Sequence, residues 1–218
     1  MRILIACECS GRLRRAIREL GHDAWSCDIK PAEDGDPHHL QTDVRSVLTP
    51  GWNAMIAFPD CTYLCGSGLH WNGRRPGRAA KTADALAFVR ELWTAPISRI
   101  AIENPIGLLG TALAPPSQIV QPYDFGDDAS KATCLWLKGL TKLRPTQRVP
   151  GRIVVLDNGA TVERWANQTA SGQNRLGPSP ARAANRARTY NGIARAMADQ
   201  WFGANAHLTG LPLLDADP

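Results

Sequence analysis

The sequence predicts an α/β fold, a mostly parallel sheet with helices on both faces, and three observations carry that prediction. Short apolar runs at residues 2–7, 54–58 and 97–102 are each cut off by polar residues or proline, as buried strands are at the end of a sheet. The first run opens a strand, turn, helix, strand series over residues 2–28, the beginning of a doubly wound sheet. An amphipathic stretch at residues 79–93 lies between the second and third runs, where a crossover helix belongs.

In chain order, Ile3, Leu4, Ile5 and Ala6 form the first strand and lead into the turn Cys7-Glu8-Cys9-Ser10-Gly11. Leu13, Ala16, Ile17 and Leu20 recur at helical spacing, and Gly21 ends that helix. The strand at residues 23–27 ends in an acid, Asp28, the position that accepts ribose hydroxyls in nucleotide-binding folds of this kind. Only one glycine, Gly11, stands in the turn, so the dinucleotide fingerprint is incomplete. Residues 29–42 read as an irregular loop, and His38-His39 has no partner at metal-ligand spacing, so no metal site is expected. Asp43-Val44 opens a short turn before the central strand.

That strand, Ala54 to Phe58, is stopped by Pro59-Asp60 and delivers Cys61 onto a loop, a thiol presented rather than packed. Residues 66–78 are rich in glycine and arginine and read as a mobile loop able to close over a substrate. The helix at 79–93 is expected to bury Ala83, Leu86, Ala87, Val89 and Leu92. The strand at 97–102 ends in Glu103-Asn104-Pro105, which places a carboxylate at a second strand end. Residues 117–126 and 132–137 read as a hairpin or paired strands with Lys131 between them. Residues 144–188 lack periodic apolar pattern and read as a loop excursion, followed by a terminal helix at 193–201 and a frayed tail from 204.

The 218 residues suit one domain. No apolar stretch approaches the roughly 18 residues of a membrane span and no targeting segment is evident, so a soluble, cytoplasmic protein is expected. The six cysteines are then expected as free thiols. The net charge of +5 is uneven: acids crowd residues 28–43, whereas Arg144, Arg148, Arg152, Arg164, Arg175, Arg182, Arg186, Arg188 and Arg195 mark the C-terminal part. That asymmetry points to a polyanionic partner, nucleic acid first.

The ordered set ACECSGRLRRAIRELGHDAWSCD, TDV, AFPDC, AIENP and a closing NGIARAMADQW helix resembles the motif series of DNA cytosine-5 methyltransferases, especially their small phage-type members. It runs from residue 2 to about 140 and resumes from about 186 to 202. The resemblance implies a Rossmann-like S-adenosylmethionine-dependent methyltransferase fold acting on cytosine-containing DNA. It implies that Cys7, Glu8, Cys9, Ser10 and Gly11, Asp28-Ile29, Asp43-Val44, Pro59 and Asn191-Gly192 hold S-adenosylmethionine. Cys61 becomes the nucleophile that adds to carbon 6 of cytosine, Glu103 the acid that protonates ring nitrogen 3, and Asn104 and Lys131 their catalytic neighbours. Arg74, Arg75, Arg78, Arg144 and Arg175 become nucleic-acid contacts, and Arg74, Arg75, Arg78 or Lys131 the charge that favours the thiolate.

The chain then divides into a catalytic domain at 1–143, an arginine-rich excursion at 144–187 where larger members carry a target-recognition domain, the closing helix at 188–203 and a tail at 204–218. Asp60 replaces the second proline of the family's Pro-Pro-Cys, and its charge should raise the Cys61 pKa. Cys61 and Glu103 suit methyl transfer to carbon 5 of cytosine, transfer from a different one-carbon donor such as hydroxymethylation, or, if chemistry has been lost, a nucleic-acid-binding relative.

Overall fold

The computed structural model describes residues 1–177, 188–204 and 206. The chain runs β1 (Arg2–Ala6), α1 (Arg12–Glu19), β2 (Asp23–Asp28), β3 (His39–Gln41), β4 (Ala54–Ala57), α2 (Gly66–Leu69), α3 (Arg78–Thr94), β5 (Ile100–Pro105), α4 (Leu109–Ala112), β6 (Gln118–Val120), β7 (Thr133–Lys138), β8 (Arg152–Val155), β9 (Thr161–Arg164) and α5 (Asn191–Phe202). Seven strands form one sheet in the order β3-β2-β1-β4-β5-β7-β6. β3, β2, β1, β4 and β5 pair in parallel, and β7 runs antiparallel to both β5 and β6.

Alternation along the strands explains why they read as continuous apolar runs. Ile3, Ile5 and Ile56 face one layer with Leu13 and Ile17 of α1 and Ile193, Met197 and Trp201 of α5. Leu4, Ala6, Met55 and Ala57 face the other, with Val89 and Leu92 of α3 and Leu109 of α4. Both faces of the central strands are therefore dry, and each such buried aliphatic contributes about 1.5–3 kcal/mol relative to exposure. The predicted class holds: this is a Rossmann-like α/β fold, its sheet mostly parallel, with helices on both faces.

Several elements differ from expectation for identifiable reasons. The loop at 29–42 contains the edge strand β3, whose residues His39, Leu40 and Gln41 show no apolar alternation. It is held in place from α1: the fully buried Arg14 binds the Asp34 carboxylate at 2.6 and 2.7 Å and also reaches the Ser26 hydroxyl. β5 continues through Glu103, Asn104 and Pro105 because β7 pairs with all three. In α3, Thr82, Val89 and Leu92 face inward while Ala83 and Ala87 are exposed, so the small alanines misplaced the apolar face by part of a turn.

Residues 66–78 are not a plain loop: α2 is followed by tight turns in which Trp71 N donates to Gly68 O at 3.2 Å and Arg75 N to Trp71 O at 2.9 Å. The excursion at 144–187 contains the β8–β9 hairpin, closed by Leu156 N to Ala160 O at 2.8 Å around Asn158-Gly159. Gly159, at φ +79°, supplies the left-handed residue that such a turn requires. Arg182, Arg186 and nearly all of the tail lie outside the described residues. Each of the six cysteines is a free thiol. Among the described residues, no helix is long and apolar enough to cross a membrane.

Candidate active site

The C-terminal ends of β1, β2, β4 and β5 point to one edge of the sheet, which carries Cys7 to Gly11, Asp28, Pro59 to Cys61 and Glu103. After β4, Phe58 N still donates to Ala6 O at 2.9 Å, and Pro59 is buried. Asp60 Oδ1 then accepts from Thr62 N at 2.9 Å and from the Thr62 hydroxyl at 2.7 Å, capping a helical turn in which Leu64 N and Cys65 N return to Cys61 O at 3.0 and 2.9 Å. Asp60 therefore builds the turn that presents Cys61. The neighbouring strand steadies it, because the buried Asn104 amide donates to Pro59 O at 2.9 Å.

Glu103, on β5, has a side chain only 12% exposed, with Lys131 Nζ 3.8 Å from its carboxylate. Burial pushes the Glu103 carboxyl above the usual range, opposed by Lys131 and by the Thr133 hydroxyl. The Cys61 thiol is also pushed up, first by burial and then by Cys65, Asp60 and Glu103, and Lys131 opposes this. Cys61, Glu103 and Lys131 thus form one electrostatic unit. Of the four cations named from the sequence, Lys131 is the one whose charge opposes the rise of the Cys61 thiol.

Two residues that the sequence reading missed hold Lys131. Its backbone N–H donates to Gln121 Oε1 at 2.9 Å. The preceding Ser130 exchanges two hydrogen bonds with the Asn167 side chain, both at 2.9 Å. No local pattern announces such contacts, since Asn167 lies 37 residues away in the excursion.

At the first turn, Cys7 takes a positive φ of 58°. Glu8 is buried and accepts from Gly11 N at 3.0 and 3.1 Å and from the Ser10 hydroxyl, so it closes its own loop. Cys9 O accepts from Glu33 N at 2.8 Å. Gly11, at φ +71°, faces the Asp34 carboxylate and the Arg14 and Arg15 guanidinium groups, which leave no room for a Cβ. Burial, followed by the charges of Asp28 and Asp43, pushes the Cys7 thiol far up, which locates both carboxylates around this turn. Ile29, just after Asp28, is 73% exposed. Val44 is 4% exposed and belongs to the core beneath this rim. A cleft of about 330 Å³, lined by Arg45, Pro59, Asp60, Tyr63, Lys81 and Phe88 among others, lies between the Cys61 turn and α3.

Asn191 and Gly192 start α5. Gly192 N donates to Asp127 Oδ2 at 2.9 Å, and a Cβ on Gly192 would overlap Phe125 O. Asn191 lines a shallow groove of about 250 Å³ with Arg12 and Arg15 of α1. Arg78 donates to Thr62 O at 3.0 Å, beside Cys61, and Arg74 and Arg75 are exposed in the preceding turn. Arg144 stands apart: its backbone exchanges two 2.8 Å bonds with Gln200, near the opposite end of the sheet where His22 meets Phe202 O. Arg175 Nε donates to Gln168 O at 2.8 Å within the excursion. Among the described residues, the buried side-chain polar atoms without a hydrogen-bond partner are Arg14 Nε, Arg78 Nε and Asn104 Oδ1, and two of these three border the Cys61 turn.

No family model matches the chain, and no curated protein matches it. Among solved structures it is similar to a candidate DNA modification methyltransferase encoded within a prophage of E. coli, at 16% identity over 69% of this chain and 52% of that one, with a TM-score of 0.44. It is also similar to the Entamoeba histolytica methyltransferase EhMeth, at 15% identity over 69% of this chain and 58% of that one, with a TM-score of 0.48. The chain spans little more than half the length of either neighbour.

Proposed function

We propose that the chain is a DNA cytosine-5 methyltransferase that works through a covalent Cys61 adduct. The observation that carries this reading is the pairing of a presented thiol at the end of β4 with a largely covered Glu103 on adjacent β5, whose carboxyl burial pushes above the usual range, with Lys131 3.8 Å from that carboxylate.

Carbon 5 of cytosine is a poor nucleophile, and this pair remedies that. The Cys61 thiolate forms a bond to carbon 6, the ring's electron pair moves toward ring nitrogen 3, and Glu103 delivers its proton there. Carbon 5 then carries enamine character. Glu103 suits a donor's part because burial keeps it protonated to higher pH than a free carboxyl. After transfer a water molecule takes the carbon-5 proton, the ring double bond re-forms as Cys61 leaves as thiolate, and the nitrogen-3 proton returns to the Glu103 carboxylate.

The residues at the other strand ends fit S-adenosylmethionine. Asp28 and Asp43 border the first turn, Ile29 offers an exposed apolar surface beside Asp28, and Pro59 lines the cleft leading from Arg45 to the Cys61 turn. When bound, the cofactor supplies an electrophilic methyl group. The chain's own task there is to hold it, through Cys7 to Gly11, Asp28-Ile29, Asp43, Pro59 and the start of α5 at Asn191-Gly192, and to keep water out.

Nucleoside mass spectrometry of DNA from cells expressing the protein, beside a Cys61→Ala control, tests this reading. 5-Methylcytosine that appears only with the intact thiol is the expected result. A heavier cytosine adduct dependent on Cys61 would select a different one-carbon donor. An unchanged profile with folded, DNA-binding protein would reject both.

A further inference from the structure

The segment that hangs from the Cys61 turn carries two aromatic rings, each with a cation stacked on it. The Arg75 guanidinium lies 4.3 Å from the centre of the Trp71 ring, while Arg78 and Lys81 lie 4.9 and 5.9 Å from that of Tyr63. The segment is tied to the nucleophile turn by Arg78 to Thr62 O at 3.0 Å, and Gly68 packs against the Cys65 thiol, where an added Cβ would stand 3.7 Å from Sγ.

No carboxylate among the described residues pairs with the cations of this ledge. Among the described residues, Arg74, Arg75, Arg78 and Lys81 form no ion pair. The nearby carboxylates are Asp60, which accepts from Thr62, and Asp84, which lines the same cleft as Lys81. Three arginines of the excursion are bound within it. Arg148 pairs with Asp124 and Glu163, Arg152 donates to Trp165 O and Gln168 O, and Arg164 donates to Ala170 O. They hold their own hairpin together rather than stand free for phosphate.

We propose that the Tyr63–Trp71 ledge binds single-stranded DNA beside Cys61, so that the substrate is an unpaired cytosine; this rests on the cytosine-modifying reading above. Phosphates meet the free cations, and exposed base faces stack on the rings or on the guanidinium planes above them. A duplex keeps those faces hidden. An unpaired base also spares the few kcal/mol needed to extract it from a helix, which suits a chain whose hairpin arginines Arg148, Arg152 and Arg164 are spent on the excursion itself.

Fluorescence anisotropy with a labelled cytosine-rich strand, alone and annealed to its complement, tests the ledge. Binding should favour the single strand. Trp71→Ala and Tyr63→Ala should each weaken single-strand binding about tenfold, as loss of one base stack does, with duplex binding changed less than about twofold. Trp71→Phe should restore most of the affinity, which separates stacking from misfolding. Arg75→Ala should make the salt dependence shallower. Tighter binding of the duplex, tighter binding of the matching RNA strand, or equal losses on both DNA forms would overturn the proposal. Nucleoside analysis of the two DNA forms separates this failure from failure of the parent reading. Cys61-dependent modification confined to duplex rejects the ledge and keeps the enzyme; tight, ring-dependent single-strand binding with no modification does the reverse.

Discussion

At the scale of single residues, Asp60 serves two purposes that pull against each other. Its Oδ1 caps the turn that presents Cys61, and its charge helps push the thiol up. Asp60→Asn keeps a capping oxygen and removes the charge. A raised thiol pKa delays the thiolate to higher pH, so removing a raising charge brings it to lower pH. Alkylation of Cys61 by iodoacetamide at neutral pH should therefore become faster, by about threefold for one partly solvated charge. Turnover should show the same shift on one limb only. Thiolate increases as pH rises, whereas the protonated Glu103 that the proposed mechanism needs is lost as pH rises through its raised pKa, giving a bell-shaped profile. The limb belonging to Cys61 should move to lower pH in Asp60→Asn while the limb belonging to Glu103 stays. An unchanged alkylation rate would show that the charge of Asp60 does not reach the thiol.

At the scale of elements, legibility followed burial. β1 and β4 could be read because both of their faces are dry, and the residues after them, Cys7 to Gly11 and Pro59 to Cys61, could be read because strands end abruptly. β3 could not, since a three-residue polar edge strand has no pattern of its own and depends on Arg14 and Ser26. The β8–β9 hairpin was legible in principle through Asn158-Gly159 and was obscured by the surrounding arginines. Gly192 shows a different limit: its glycine was noted as part of a motif, but its physical reason is the approach of Phe125 O to the first turn of α5. Gly192→Ala should cost about 1–3 kcal/mol by forcing that helix away, measured as a lower urea midpoint. Gly110→Ala, where an added carbon meets nothing within 4 Å, is the control and should hold or gain stability. Equal behaviour of the two variants would mean that α5 shifts without cost.

At the scale of the whole molecule, the excursion is built into the site. Trp165 stacks on Tyr123 at 3.9 Å with the rings 9° from parallel, Ala166 N donates to Asp128 at 2.9 Å, and Asn167 clamps Ser130. Each contact lands on the stretch between β6 and β7 that carries Lys131. Cys61 and Glu103 could be anticipated from strand ends, and Lys131 was named beside them, but the brace that holds Lys131 could not, because it is assembled by side chains far apart in sequence. If the excursion braces Lys131, removing the clamp should impair chemistry more than binding. Asn167→Ala deletes two hydrogen bonds, worth about 1 kcal/mol each, and frees the Ser130–Lys131 turn. Turnover should fall about tenfold as the 3.8 Å approach of Lys131 to Glu103 loosens, with KM for DNA nearly unchanged. Asn167→Asp, which keeps the acceptor for Ser130 N and loses the donor to Ser130 O, should fall between. A variant that loses DNA affinity at normal turnover would instead make the excursion a recognition element, and Lys131 would then owe its position to Gln121 alone.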